Sequence, residues 1–145
     1  MTVRVDRSFE VEAPPERVWE FIADPEKRAR SISVVTDFTT DDPDGRNATW
    51  HLEIPLPLVT RTVRVDTEDI TRNPPEYVKF VGRSKLLDVT GEHQIVSTET
   101  GSRLENTFVV DGHIPGVERF FKRNLDGEIT NLRRELEADI RRDTR

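Results

Sequence analysis

Three histidines, His51, His93 and His113, carry the imidazole groups through which the 145-residue chain could transfer protons. His93 shares strand parity with Ile95 and is expected to point inward, whereas His51 is expected on an outer face and His113 in an apolar loop. An inward histidine is more often a satisfied core residue than a base. No two histidines have the spacing of a metal site and the chain has no cysteine, so no metal site is predicted.

Glu128 is the acidic residue best placed to act on a bound molecule. On a helical wheel it lies between Phe121 and Leu125 on one side and Asn124 on the other, at the border of an apolar stripe. A carboxylate there could meet a ligand hydroxyl or act as a base with a raised pKa, although pairing with an arginine is the commoner arrangement. Glu128 and His93 are the candidate catalytic residues, but no Ser/His/Asp spacing or glycine-rich phosphate loop accompanies them. An enzyme is therefore less favoured than a binding protein.

Asn106 lies between Leu104 and Phe108 on one strand face and would place an amide group inside the fold. A buried amide needs a hydrogen-bond partner, and a ligand or a buried water would serve equally. Large aromatic side chains at such spacings are usually core, but they also form the walls of apolar sites. The predicted ligand-contacting residues are Trp50, Leu52, Phe80, His93, Ile95, Asn106, Phe108, Phe121, Leu125 and Glu128.

These residues must be positioned by a long helix and by the strands before it. From Val117 to about Arg142, apolar residues recur every three or four positions, which predicts one amphipathic helix roughly 39 Å long. Most of the chain before it alternates apolar and polar residues, as half-buried strands do. The helix must bury its stripe against a sheet, and the junction is either filled by side chains or left open for a ligand. The stripe consists of Val117, Phe121, Leu125, Ile129, Leu132, Leu136 and Ile140.

The predicted order is one strand, two short helices, six strands and the long helix, an α+β arrangement that forms one domain over residues 1–145. The strands cover residues 3–12, 34–40, 47–54, 59–71, 77–83, 87–98 and 103–111, and the short helices cover 16–23 and about 25–31. Pro55 and Pro57 are expected to interrupt pairing after the third strand. A β-bulge would reverse the inward and outward assignments near Val65–Ile70 and Thr90–Val96.

Residues 9–25, FEVEAPPERVWEFIADP, resemble the N-terminal motif of the START/Bet v 1-like (SRPBCC) superfamily, in its polyketide cyclase/dehydrase and lipid-transport or CoxG-like branch. Residues 100–104, TGSRL, resemble the Gly-Thr-Arg turn before the last strand of that superfamily, with Ser102 in place of the usual threonine. The resemblance covers the whole chain in element order. It implies a helix-grip fold, β-α-α-β6-α, in which a curved seven-stranded antiparallel sheet wraps around the C-terminal helix.

Members of this superfamily bind hydrophobic small molecules, and only some of them are enzymes. The resemblance therefore implies binding or transport of a lipid, quinone or polyketide-like molecule in a cavity between the C-terminal helix and the sheet. A polyketide cyclase or dehydratase that uses acids and bases of the pocket is one alternative, and a co-chaperone-like interaction module is another. No cofactor is predicted.

Strand parity places three polar loops at one end of the sheet and three apolar loops at the other. The apolar loops either cap the core, or form a mouth through which an apolar ligand enters, or meet a partner or a membrane surface. The candidate mouth residues are Leu56, Leu58, Leu86, Ile114 and Val117.

The formal charge of −6 argues against a nucleic-acid partner, whose phosphates require a basic face. Because the chain has no cysteine, disulfide and thiolate chemistry are excluded. The first residues lack the apolar stretch of a signal peptide, and no apolar run is long enough to form a transmembrane segment. A cytoplasmic protein is expected, as a monomer or a weak homodimer with at most transient membrane contact.

Overall fold

The computed structural model describes residues 2–143, in which a seven-stranded antiparallel sheet is followed by one long helix. Two short helices lie between the first and second strands. The strands are β1 (Thr2–Val11), β2 (Val35–Thr40), β3 (Asn47–Leu56), β4 (Val59–Asn73), β5 (Tyr77–Arg83), β6 (Leu87–Thr98) and β7 (Gly101–Gly112), and the helices are α1 (Pro15–Ile22), α2 (Pro25–Arg30) and α3 (Val117–Asp143).

The strands follow the order β1-β7-β6-β5-β4-β3-β2, and all neighbours are antiparallel. Strands β2 to β7 form a meander, and β1 then pairs along its length with β7, from Thr2 opposite Asp111 to Val11 opposite Ser102. Helix α3 packs against β1, β7 and β3. The predicted helix-grip arrangement, a curved sheet around a C-terminal helix, is confirmed.

Alternate strand residues and one stripe of α3 form the core between the sheet and the helix. On β7, every second residue from Ser102 to Val110 is buried, as the pleat of a strand covered on one face requires. Within residues 2–143, no helix combines the length and the apolarity needed to cross a membrane. The buried stripe of α3 consists of Val117, Phe121, Leu125, Ile129, Leu132 and Leu136.

The carboxylate of Asp139 joins α1 and α2 to the C-terminal half of α3. Its Oδ2 accepts a hydrogen bond from Nη2 of Arg17 at 2.9 Å, and its Oδ1 lies 3.2 Å from Nζ of Lys27. Burial alone would raise the pKa of Asp139, but the hydrogen bonds and charges of Arg17 and Lys27 outweigh it and lower the pKa below its ordinary value. This ionic cluster fixes the end of α3 against the short helices.

Pro55 lies inside β3, so the expectation that the prolines interrupt pairing before the turn is wrong. It pairs opposite Thr60 on β4, and Pro57 and Leu58 form a two-residue turn. The pairing of β2 with β3 reaches only to Leu52, so further along β3 the edge away from β4 has no paired strand in the described sheet. A residue without an N–H group is tolerated at such an edge.

The structure settles both stretches whose parity the sequence leaves open. A register shift between Asp69 and Thr71 interrupts the pairing of β4 with β5. Buried and exposed residues nevertheless alternate without a break from Val63 to Ile70, so that Asp69 is buried and Ile70 is exposed. Strand β6 pairs with β7 without a shift from Leu87 to Thr98, and His93 is buried on its inner face.

Candidate ligand-binding cavity

A cavity of about 50 Å³ lies between α3 and the inner face of the sheet. Its wall is predominantly apolar, and the polar side chains in it come from Arg28, Ser31, His93 and Glu128. The junction between helix and sheet is therefore not completely filled. The lining residues are Arg28, Ser31, Ile32, Trp50, Leu52, Val65, Phe80, Leu87, Val89, His93, Phe108, Val110, Phe121, Leu125, Glu128 and Leu132.

Three aromatic rings and an imidazole form the side of the cavity that belongs to the sheet. The ring centroid of Phe80 lies 5.6 Å from that of Trp50 and 6.5 Å from that of Phe108, and His93 packs edge-on at 5.5 Å from Phe108. Gly91 faces Phe80 across the β5–β6 pair, and a Cβ at Gly91 would collide with the Phe80 ring. The absence of a side chain at Gly91 thus allows the aromatic wall to form.

Asn106 fixes the orientation of His93. Nδ1 of His93 lies 2.7 Å from Oδ1 of Asn106, whose Nδ2 donates a hydrogen bond to the carbonyl oxygen of Arg7 at 3.3 Å. Because an amide oxygen only accepts, this network assigns the proton to Nδ1 and leaves a lone pair on Nε2. Burial, reinforced by the positive charge of Arg28, lowers the pKa of His93 to about 3 despite the opposing effect of the Asn106 hydrogen bond. His93 is a neutral acceptor near neutral pH and a poor general base.

Arg28, a buried cation in the wall of the cavity, is absent from the predicted site. Its Nη1 donates a hydrogen bond to the carbonyl oxygen of Ile22 at 2.9 Å, and its Nη2 donates to Oδ1 of Asp69. Arg72 occupies the other oxygen of Asp69 through Nε at 2.9 Å and Nη2 at 2.8 Å. The guanidinium carbon of Arg28 also lies 5.1 Å from the ring centroid of Phe80.

The spacing of residues in α2 contains a signal for the burial of Arg28. Pro25, Arg28 and Ala29 are buried, and positions i, i+3 and i+4 share one face of a helix. An arginine on the same face as an alanine and a proline is thus expected to point inward, even in a strongly charged helix.

Glu128 joins α3 to the segment between α2 and β2. Its Oε2 accepts a hydrogen bond from the backbone N–H of Ser33 at 2.8 Å, and its Oε1 accepts one from the Ser33 hydroxyl group. The partner is a serine, and not the arginine that is commoner at the border of a buried stripe. Among the lining residues, Ile32, Val89 and Glu128 are half-buried and the others are buried. The cavity therefore approaches solvent beside this Ser33–Glu128 contact.

Eight of the ten predicted ligand-contacting residues line the cavity, and the two that do not are Ile95 and Asn106. Both are buried, but Ile95 belongs to the surrounding core, and Asn106 reaches the cavity only through its hydrogen bond to His93. Strand parity predicts the face on which a side chain lies, but not its position along the strand relative to a cavity. Ligand contact by the other eight stays a prediction.

The candidate mouth residues do not line the cavity. Leu86 and Val117 are buried, Leu56 and Ile114 pack partly buried against the core, and Leu58 is fully exposed. Leu58 has a φ angle of 74°, in the left-handed region that a leucine rarely adopts. Four of the five candidate side chains are thus buried in the core or packed against it, while the leucine at the tip of the β3–β4 hairpin projects into solvent.

The other two histidines lie outside the cavity. His51 is on the outer face of β3, and Nε2 of His113 lies 3.3 Å from Oδ2 of Asp88 at the surface. Together with Asp111, these last two side chains place three potential ligand atoms within 4.8 Å of one another. Sequence spacing did not predict this group, and surface acids are often clustered in this way without an ion.

The family described as polyketide cyclase/dehydrase and lipid transport matches residues 2–137, and the chain belongs to this family. Membership supports a role in binding a hydrophobic molecule. A search of curated protein sequences finds no match to the chain.

Solved structures share the fold at low sequence identity. A conserved protein from Geobacillus kaustophilus is similar with a TM-score of 0.81 and 14% identity, over 97% of this chain and 96% of that protein. The Zhui aromatase/cyclase from a Streptomyces species has a TM-score of 0.72 and 12% identity, over 100% and 97% of the two chains. For a START superfamily protein from Mycobacterium smegmatis the TM-score is 0.72 at 15% identity, over 96% and 97%. At these identities the similarity concerns the fold.

Proposed function

We propose that this protein binds a mainly apolar small molecule, such as a lipid, quinone or polyketide-like compound, between α3 and the sheet, and that it carries or senses this molecule. The observation that carries the proposal is the apolar cavity at the junction of α3 with the aromatic wall. Native interiors contain few voids larger than a water molecule. A void at the position where a helix-grip fold can hold a ligand therefore supports binding.

The cavity must widen to accept such a molecule. Its volume of about 50 Å³ exceeds the roughly 30 Å³ of one water molecule but is far below the roughly 300–1,000 Å³ of sites for larger ligands. On the sheet side, continuous strand pairing resists opening. On the other side, the hydrogen bonds of Glu128 to Ser33 hold α3 to the segment before β2. The ligand enters by separating these two elements.

The same side chains favour binding over catalysis. His93, with a pKa of about 3, does not take up a proton near neutral pH. Both carboxylate oxygens of Glu128 accept hydrogen bonds from Ser33. Turnover of a polyketide substrate that is lost in Glu128→Gln or His93→Ala would instead support the enzymatic alternative.

Ligand extraction and a filled cavity test the proposal. We expect organic extraction of the purified protein, followed by mass spectrometry, to release an apolar compound, and the extracted protein to bind the apolar dye Nile red. Val89→Phe places a ring in the cavity and should abolish dye binding, whereas Val81→Phe, on the outer face of β5, should leave it intact. An empty extract together with no dye binding by the extracted wild type would refute the proposal.

The exposed side chain of Leu58 allows the interaction-module alternative to be tested. Leu58 is fully exposed at the tip of the β3–β4 hairpin. Concentration-dependent association that disappears in Leu58→Asn would support a partner or a second copy at this tip. The predicted monomer or weak homodimer, the transient membrane contact and the cytoplasmic location stay predictions.

A further inference from the structure

Two buried N–H groups, each in a side chain that lines the cavity, have no hydrogen-bond partner among the described residues. They are Nε1 of Trp50 and Nε of Arg28, in side chains that are 3% and 4% exposed. Buried donors in native proteins are nearly always paired, because an unpaired donor loses its hydrogen bonds to water without replacement. Two such donors at one small apolar cavity indicate that an acceptor belongs there.

Both side chains pack against Phe80. Its ring centroid lies 5.6 Å from that of Trp50 and 5.1 Å from the guanidinium carbon of Arg28. Both side chains line the same cavity of about 50 Å³ and neither N–H group is exposed to it, so a ligand reaches them only as the cavity widens.

The acids beside Arg28 use only some of its N–H groups. Asp69 accepts Arg28 on one oxygen and Arg72 on the other, so its single charge is divided between two guanidinium groups. Asp24 is a further acid near Arg28, and its side chain caps α2 by accepting from the N–H of Glu26. None of the described acceptors takes the Nε–H of Arg28.

We infer that the bound molecule presents a carbonyl or carboxylate oxygen to Trp50 and Arg28, while its apolar body lies along the aromatic wall. The inference rests on the proposed function and names the chemical class of its ligand. A carboxylate gains both the hydrogen bonds and the charge of Arg28, a ketone gains the hydrogen bonds, and a hydrocarbon gains neither. The Nε2 lone pair of His93 offers an acceptor for a hydroxyl group elsewhere on the same molecule.

Three probes with the same phenylethyl body separate these cases. Hydrocinnamate ends in a carboxylate, benzylacetone in a methyl ketone and butylbenzene in an ethyl group. Calorimetric titration of the extracted protein should give the affinity order hydrocinnamate, benzylacetone, butylbenzene, with a difference of about fivefold or more at each step. Hydrocinnamate should also shift the Nε1–H signal of Trp50 in the nuclear magnetic resonance spectrum, and Trp19→Phe identifies that signal by removing the other indole.

Variants of Trp50 and Arg28 then test whether these two side chains cause the differences in probe affinity. Trp50→Phe retains a ring but removes the N–H group, and it should reduce the preference for benzylacetone over butylbenzene about fivefold. Arg28→Lys retains a cation beside Asp69 but lacks Nε, and it should reduce the preference for hydrocinnamate over benzylacetone. Trp19→Phe, on α1 and outside the cavity, is the matched control and should leave all three affinities unchanged.

The outcomes distinguish this inference from the proposed function. Equal affinities for the three probes, or preferences that persist in a folded Trp50→Phe variant, would refute the inference that a ligand oxygen accepts from Trp50 and Arg28. The proposal of an apolar binding site would not be affected. Failure of all three probes and of Nile red to bind the wild type would refute both. Should Arg28→Lys not fold, the Trp50→Phe affinities and the shift of the Trp50 signal decide the matter.

Discussion

Asn106 and His93 lie directly opposite each other on β7 and β6, and Oδ1 of Asn106 accepts the hydrogen bond of Nδ1 of His93 at 2.7 Å. Asn106 does not line the cavity, yet it decides which imidazole nitrogen is free to meet a ligand. The buried amide that the sequence indicates is thus satisfied by a side chain, with its Nδ2 donating to the carbonyl oxygen of Arg7. The other ring nitrogen of His93, Nε2, therefore carries a lone pair and not an N–H group.

The neutral state of His93 makes the folded protein sensitive to acid. Its pKa is lowered from the ordinary 6.5 to about 3, so between these values the unfolded chain binds a proton more readily than the folded one. This contribution to stability is complete above the unfolded pKa and is lost as the pH falls toward 3, at up to about 1.4 kcal/mol per pH unit. The free energy of unfolding, measured in urea at each pH across this range, should change less steeply with pH in His93→Gln than in the wild type or in the control His51→Gln. If the unfolding free energies of His93→Gln and the wild type changed equally with pH, His93 would not be the source of this acid sensitivity.

Asp139 should contribute more to stability than an exposed carboxylate on the same helix. Asp139→Asn removes the charge that Arg17 and Lys27 share, and we expect a loss of about 1.5 kcal/mol in the free energy of unfolding at neutral pH, because the cluster is only partly buried. Glu137→Gln, which breaks only the exposed pair with Arg133, is the control and should cost less than about 0.5 kcal/mol. Equal losses in the two variants would show that the Asp139 cluster is no stronger than a surface pair.

Asp139→Asn should also change how the free energy of unfolding depends on pH. Because the pKa of Asp139 is lowered in the folded state, its contribution is present above the unfolded value of 3.8 and is lost as the pH falls below it. Asp139→Asn should therefore be less sensitive than the wild type to acidification in that range, as measured by denaturant unfolding.

The Ser33–Glu128 contact should control the rate of ligand entry. Glu128→Ala removes both hydrogen bonds to Ser33, and we expect Nile red to bind and leave about fivefold faster in stopped-flow fluorescence. Glu135→Ala makes the same change at an exposed position of α3 and should leave both rates unchanged. Unaltered rates in Glu128→Ala would place the entry route elsewhere.

Two glycines should respond in opposite directions to the same substitution. A Cβ at Gly127 meets no atom within 4 Å, so Gly127→Ala should stabilise α3 by about 1 kcal/mol through helix propensity. Thermal unfolding should then occur about 3 °C higher. Gly91→Ala should instead lower the unfolding temperature, because its Cβ collides with the ring of Phe80. A destabilised Gly127→Ala variant would indicate that α3 needs the freedom of a glycine at this position.

The fold could be predicted from the sequence because its signals extend over many residues. The stripe of α3 repeats from Val117 to Leu136, and the alternation on β7 runs from Ser102 to Val110, so one irregular residue does not obscure either pattern. Pro55 was assigned wrongly because the rule against proline in strands depends on which edge is paired. That information lies in the position of β2 and not in the sequence around Pro55.

The lining of the cavity could be predicted in part, where the signal is local to one strand or helix. Trp50, Phe80 and Phe108 follow from strand parity, which is a local property of each strand. The Ser33–Glu128 contact joins residues 95 positions apart, and neither residue type specifies the other. The candidate mouth stays a prediction, because parity predicts only the end of the sheet at which a loop lies. It does not predict that Leu86 and Val117 pack into the core there.

Strand β1 is synthesised before the other six strands of the sheet, but its neighbour is β7, which is the last of the seven to be made. Their ladder joins residues about 100 positions apart, such as Thr2 and Asp111. On the ribosome, β1 therefore remains unpaired until almost the whole sheet has been made, with the apolar side chains of Phe9 and Val11 uncovered. During that interval, the open β7 edge of a neighbouring chain offers the same hydrogen bonds. The yield of correctly paired sheets in the cell thus depends on β1 docking onto its own chain faster than two chains exchange strands.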